Sequence, residues 1–295
     1  MSKSDPSQAF DLILVGAVSK DENIYPDGRE CSMGGAVTYG AFAAKRSGAR
    51  VGIITRLAPA DRHLCDLFAD EQIPVWALPS KRTTAIRNVY HTMDKERRTC
   101  TCLAAADAFT PESLPAVTAK ILHAAALIKG EIPLQTLQSL SRFGEVGLDV
   151  QGLLRVSRGA ELVFEKSDEV EQALGSVTYL KADAAEAEIL TATTDLAAAA
   201  RELSAMGPKE VVVSHNHELV LACGKNIYRT PLTPKIINGR TGRGDTLFGS
   251  YLARRTLGDA PFDALKFAAA LVSLKLEAPG PFRGTLADVR LKMQQ

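Results

Sequence analysis

The sequence predicts an α/β protein: one doubly wound, mostly parallel sheet with helices on both faces, plus a small β lid. Three observations predict it. Short apolar runs such as FDLILV, VGIITRL and EVVVS are bounded by turn residues and are too short for free-standing helices, which is the pattern of buried strands. Alanine-rich stretches with helical spacing alternate with them. No repeat period and no Ser/Gly-rich linker interrupts the chain, so residues 1–295 read as one domain.

Taken in order, FDLILVGAVS from Phe10 reads as a first strand closed at Gly16. ENIYPDGREC follows, with Pro26-Asp27-Gly28 as a turn and few core residues on either side, which suits exposed strands. GGAVTYGAFAAKRSG opens on a glycine pair and continues as a helix stopped at Gly48; RVGIITRL is the next strand, completing a β-loop-α-β unit. DRHLCDLFADEQI is amphipathic through Leu64, Leu67 and Phe68, and VWAL resumes a strand. From 83 to 104 the texture changes. TTAIRNVYHTMDKERRTCTCL is rich in Thr, Val, Tyr and Ile, its middle from Asp94 to Arg98 is wholly charged, and it reads as a hairpin with an exposed turn. Polar residues on both its faces put it at the edge of the main core, where with 22–33 it forms a small second sheet, a flap over a site.

Beyond the flap, a helix is expected over 115–125, then a strand at ALIKG, a helix over 134–143, and strands at EVGLDV and VTYLKA. TDLAAAARELSAMG is a strong helix former closed by Gly207, and EVVVSHNHELVLACG reads as two strands joined at HNHE. APFDALKFAAALVSLKLE and the terminal PGPFRGTLADVRLKM complete the chain.

Bulk properties exclude several functions. Thirty-five Lys plus Arg against 34 Asp plus Glu leave a formal charge of +1, so no global field holds polyanions and nucleic acid is not an expected partner. Five cysteines lie scattered at 31, 65, 100, 102 and 223 without a C-x-x-C, which fits reduced thiols in a cytoplasmic protein and argues against structural zinc. The start MSKSDPSQAF has no apolar signal-type segment, and no apolar run approaches the roughly 20 residues of a membrane span.

The chemistry concentrates in GRTGRGDT at 239–246. Gly239 and Gly244 have the glycine spacing of a P-loop, but Asp245 stands where its lysine belongs; Leu247 stands where a dinucleotide fingerprint needs its third glycine. The triplet Arg243-Gly244-Asp245 also matches an adhesion tripeptide, which needs an exposed extracellular loop. TLFGSYLARR carries Leu247, Tyr251 and Leu252 at helical spacing, so 242–245 opens a helix. The free N–H groups of such a first turn, with the positive end of the helix dipole, form an anion site. A carboxylate there is either an N-cap or a base that accepts a hydroxyl proton beside a bound phosphoryl group.

TGRGDTLF resembles the second signature, T-G-A-G-D-x-F, of the ribokinase-like (PfkB) family of carbohydrate kinases, and the resemblance runs over about 11–284 in the family's order of elements. It implies that Asp245 is the catalytic base and that Gly242, Arg243 and Gly244 form an anion hole. GGAVTYGAFAAKRSG takes the place of the family's first signature, so Asp21, Gly34, Gly35, Thr38 and Tyr39 are its implied substrate-binding residues. The two flap segments correspond to its lid, through which members dimerise, although no feature of this sequence by itself establishes a homodimer. LKADAAEAEIL is similar to the family's K-x-N-x-x-E and implies that Lys181, Asp183 and Glu186 serve the donor, Glu186 organising Mg²⁺ through water; the bland alternative is acidic residues complementing a helix N-terminus. VVVSHNHE takes the place of T-x-G, with Ser214 keeping the hydroxyl and Asn216 replacing a glycine near the nucleotide.

The sequence also departs from that family. Tyr39 stands where an asparagine is usual, and one phenolic hydroxyl cannot reproduce a carboxamide's donors and acceptors, so ribokinase-type pentose specificity is not expected. Gly239 and Arg240 replace an Asp-Thr pair that helps hold a monovalent cation in several members, which argues against potassium activation. Arg243 replaces a small residue; its guanidinium either meets phosphate or turns to solvent, the second being the expectation here. Lid residues Arg87, Tyr90 and His91 either line the acceptor pocket or edge the sheet. LDVQGLLR at 148–155 and KLEAPGPFRGT near the end look closer to the branch with inositol and other polyol kinases. The expected function is an ATP- and Mg²⁺-dependent kinase for a hydroxyl of a small sugar, polyol or nucleoside. The rival is a ligand-binding or regulatory protein that kept the fold without the chemistry.

Overall fold

The computed structural model describes residues 10–92 and 98–295. The chain opens with β1 (Phe10–Val15), the hairpin β2 (Ser19–Tyr25) and β3 (Gly28–Gly34), α1 (Ala36–Arg46), β4 (Val51–Leu57), α2 (Asp66–Asp70) and β5 (Val75–Pro79). The flap strands are β6 (Thr84–Tyr90) and β7 (Arg98–Ala104); the rest of the charged turn expected between them, 94–97, lies outside the described residues. Next come β8 (Ala119–Ala124), α3 (Leu134–Leu140), β9 (Glu145–Asp149), α4 (Gln151–Leu154), β10 (Arg155–Arg158), β11 (Glu161–Phe164), α5 (Val170–Leu174) and β12 (Tyr179–Asp183). The chain closes with α6 (Ala184–Thr191), α7 (Leu196–Ala205), β13 (Glu210–Ser214), β14 (Glu218–Cys223), β15 (Asn226–Pro231), α8 (Arg243–Thr256), α9 (Pro261–Leu276) and α10 (Leu286–Lys292).

Nine strands form the main sheet in the order β15-β14-β13-β12-β9-β8-β1-β4-β5. Pairing is parallel from β5 through β13 and antiparallel for β14 and β15. Alternation along β1 explains the two layers of core. Leu12 and Leu14 face α1, α8 and α9 through Phe42, Phe248 and Val272, whereas Ile13 and Val15 face α3, α5 and α7 through Leu137, Leu174 and Leu203. Each such fully buried side chain contributes about 1.5–3 kcal/mol of hydrophobic stabilisation.

The second sheet has the order β10-β11-β7-β6-β2-β3. It contains both expected lid segments and adds the hairpin β10–β11, which the sequence did not announce. The lid is anchored where it leaves β1: the Glu131 carboxylate accepts the N–H groups of Ala17 at 2.5 Å and Leu127 at 2.9 Å, and Val18 donates to the Thr55 hydroxyl at 2.9 Å.

Two local expectations fail. The helix expected over 115–125 is instead the central strand β8, paired in parallel with β1 and β9, because burial on both faces overrides the helix propensity of its alanines. ALIKG is a turn with Gly130 at φ +92°, not a strand. The amphipathic stretch from Asp61 runs as a 3₁₀ segment, Pro59–Cys65, continued by α2, with Leu64, Leu67 and Phe68 packed on the core as expected. Among the described residues, no helix is long and apolar enough to cross a membrane.

Candidate active site

β9 ends on Asp149, β12 on Asp183 and β13 on Ser214, and the parallel register sets Lys181 beside Asp149 and Asp183 beside Ser214. Carboxyl ends of parallel strands are where doubly wound sheets hold ligands. The Lys181 ammonium is almost fully buried, 3.1 Å from Asp149 and 3.4 Å from Glu186. Burial acts to strip its proton, but Asp149, Glu186 and Asp183 outweigh it and hold the lysine charged. Burial also pushes the Glu186 carboxyl up, against the pull of that ammonium. Asp183 and Glu186 form a capping box on α6: the Glu186 N–H donates to Asp183 at 2.8 Å and the Asp183 N–H to Glu186 at 2.7 Å. The bland alternative raised by the sequence is therefore present in the geometry, alongside the contact with Lys181.

The first turn of α8 faces this cluster. Gly242, at φ +76°, caps the helix, and a β-carbon there would enter the Tyr39 ring. One on Gly244 would sit 3.1 Å from the Lys181 Cε and Nζ. Asp245 turns into the same cavity, of about 440 Å³, that Lys181, Asp183, Ser214, Asn216, Gly242, Arg243 and Gly244 line; Tyr90, Arg98, Gln151, Arg240 and Thr241 complete its walls. Burial, reinforced by the charge of Asp149 and opposed by Lys181, Arg98 and Arg155, pushes the Asp245 carboxyl up to about 6. Arg243-Gly244-Asp245 is thus the first turn of a helix at a cavity, not an adhesion loop.

Arg243 departs from its expected course to solvent: its guanidinium donates to Asn216 Oδ1 at 2.8 Å along the cavity wall, and its backbone N–H donates to the Arg240 carbonyl at 3.2 Å. Among the residues expected to bind substrate, Asp21 lies against Gly34, accepts the Ser19 hydroxyl at 2.6 Å, and is raised by burial. Gly35 caps α1 at φ +97°. Thr38 is fully buried and donates to the Gly34 carbonyl at 2.7 Å, so its hydroxyl serves the turn. Tyr39 packs beneath Gly242 and, with Thr38, lines a smaller cleft of about 270 Å³ that shares Tyr90, Arg240 and Thr241 with the main cavity. Of the three lid candidates, Tyr90 reaches the main cavity and meets the Thr241 hydroxyl at 3.2 Å. Arg87 is drawn to Glu22 at 2.5 Å, and exposed His91 to Thr99 at 2.8 Å.

Among the described residues, no group of three or more His, Cys, Asp or Glu side chains converges to hold a metal ion alone. Asp149 and Glu186 contact the Lys181 ammonium and Asp183 lies beside Glu186, so any divalent cation here would depend on waters and on the oxygens of a phosphate ligand for most of its coordination. Asp149, Arg98 and Gln151 were missed in the sequence. Only Asp149 left a signal there, a carboxylate closing the apolar strand EVGLD.

The sequence profile of the pfkB family carbohydrate kinases matches residues 9–285. A cytidine kinase of Thermococcus kodakarensis is 28% identical over 261 residues, 84% of this chain and 90% of that protein. A pyrophosphate-dependent kinase in the ribokinase family, solved as a sulfate complex, is 32% identical with a TM-score of 0.88 over 95% of this chain and 99% of that one. A pyrophosphate-dependent kinase in the ribokinase family complexed with a pyrophosphate analog and myo-inositol is 31% identical with a TM-score of 0.87 over the same shares. The chain belongs to the pfkB family of carbohydrate kinases, phosphotransferases that place a phosphoryl group on a hydroxyl.

Proposed function

We propose that the protein transfers a phosphoryl group from inorganic pyrophosphate to a hydroxyl of a small polyol, with Asp245 as general base. One observation carries this reading: Asp245 and the glycine turn of α8 open onto one cavity whose lining is polar and includes Arg98, Lys181, Arg240 and Arg243. Clustered cations suit a compact, highly charged donor. An adenine ring needs a flat apolar slot, and Arg243 with Asn216 instead presents a polar wall. Likeness to pyrophosphate-dependent kinases supports the same donor, in place of the ATP expected from the sequence.

In the reaction the acceptor O–H gives its proton to Asp245, the new O–P bond forms, and the P–O–P bridge breaks to release inorganic phosphate. The N–H groups of Gly242 and Gly244, with the positive end of the α8 dipole, face the charge that develops on phosphorus. Mg²⁺, when bound near Asp183 and Glu186 through water, would neutralise phosphate charge. Asp21 and Gly34 sit where the lid meets α1 and serve the acceptor. Five free cysteines fit a cytoplasmic setting.

Phosphorus NMR of product formed from pyrophosphate or ATP, each with myo-inositol, ribose and cytidine, tests the reading; turnover with ATP and none with pyrophosphate overturns the donor. A nucleoside acceptor is the second reading. It is favoured by the cytidine kinase relative and by the smaller cleft, where Tyr25, Tyr39 and Tyr90 offer aromatic walls to a base.

A further inference from the structure

Lys275 is an almost fully buried lysine in the wall of the smaller cleft. It sits in the last turn of α9, is 2% exposed, and donates 2.6 Å hydrogen bonds to the carbonyls of both Gly239 and Thr241. Its ammonium lies 5.5 Å from the centre of the Tyr39 ring, which packs beneath Gly242. The same loop is held from a second side, where the Leu276 carbonyl accepts the N–H groups of Asn238 at 2.8 Å and Gly239 at 2.9 Å.

These contacts fix a direction. A trans peptide unit is planar, with its C=O and N–H pointing opposite ways, and no peptide of the described chain is cis. Drawing the Thr241 carbonyl onto Lys275 therefore turns the Gly242 N–H away from α9, toward the cavity that Gly242 lines; the Gly239 carbonyl does the same for the Arg240 N–H. We propose that Lys275 is a positioning residue, an internal cation that aims the backbone N–H groups of the glycine turn at the donor phosphate and makes added monovalent cations unnecessary. Two carbonyls converging on a buried ammonium make a small cation site whose occupant is covalently attached.

This rests on the pyrophosphate-to-hydroxyl reading only for its kinetic readout. Wild-type turnover is measured in tetramethylammonium buffer with and without 100 mM K⁺, alongside Lys275→Met and Lys275→Ala. The expected result is a wild type indifferent to K⁺ and variants about 10²-fold lower in kcat with a nearly unchanged acceptor KM, the scale of losing one aimed N–H donor. K⁺ or methylammonium restores at least tenfold in Lys275→Ala and nothing in Asp245→Asn. A wild type that requires K⁺, a folded variant with full kcat, or a loss that no cation moves overturns the proposal. Amide hydrogen exchange at 240–244 gives a readout without turnover. Faster exchange in Lys275→Ala, slowed again by K⁺, supports the positioning role even if no donor is consumed, whereas unchanged exchange overturns it. If both variants fail to fold, K⁺ dependence of the wild type decides.

Discussion

Gly40 of α1 and Gly249 of α8 lie backbone against backbone. A β-carbon on Gly249 would come within 2.7 Å of the Gly40 Cα, and one on Gly40 would meet the side chain of Leu14 at 2.8 Å. The approach matters because these helices carry the two glycine turns of the site, Gly35 at the start of α1 and Gly242 at the start of α8. Gly249→Ala should lower stability by about 1–3 kcal/mol through overpacking. It should also reduce kcat by shifting Gly242 from beneath the donor. Urea midpoints and kinetics on one preparation check both; a variant with native midpoint and native kcat contradicts the account.

The proposed role of Asp245 as base ties activity to pH. With its carboxyl raised to about 6 and required ionised, kcat/KM should fall tenfold per pH unit below about 6. A rate profile that stays flat down to pH 5 removes Asp245 as the base.

The same shift has a stability consequence. The folded pKa lies above the unfolded value of 3.8, so the folded state binds the extra proton between those pH values and loses stability as pH rises through about 6. Asp245→Asn should then be more stable than wild type at pH 7.5, by about 1–3 kcal/mol, while losing at least 10²-fold in kcat. That advantage should vanish below about pH 4. Thermal melts at pH 7.5 and 4 decide it; an Asn variant less stable at pH 7.5 refutes the strain.

Lys181 and Asp149 form a pair almost sealed from water. Asp149→Ala leaves the ammonium with only the longer contact to Glu186 and should cost about 3 kcal/mol. Adding Lys181→Met should recover much of that stability and none of the donor affinity. Calorimetry with pyrophosphate, next to denaturation of the single and double variants, separates the two effects. Restored binding in the double variant would show that Lys181 does not touch the donor.

What the sequence disclosed and what it withheld have physical reasons. The apolar strands, the glycine turns and Asp245 were legible because local chemistry specifies them: short apolar runs bounded by turn residues, a φ that favours glycine, a helix start. β8 was misread because its alanines favour a helix in isolation, and only its neighbours β1 and β9 make it a strand. Lys275 was illegible for a related reason. In KFAAALVSLKLE it shares the apolar face of Ala268, Leu271 and Val272, but nothing local shows what satisfies it, since its partners lie 34 to 36 residues earlier in the chain. Asp149 and Lys181 are brought together by register, not by any spacing a reader can see.

The contact between Tyr90 and Thr241 joins the lid to the rim of the cavity through one hydrogen bond between uncharged hydroxyls. Such a bond is worth about 0.5–1.5 kcal/mol, so by itself it keeps the doorway shut only some two to thirteen times as often as ajar. If the second sheet acts as the proposed lid, a catch that weak would admit cargo by thermal motion alone, with no fuel spent on unlocking. It also leaves whatever sits inside to decide, through its own contacts with both leaves, how long the door stays closed.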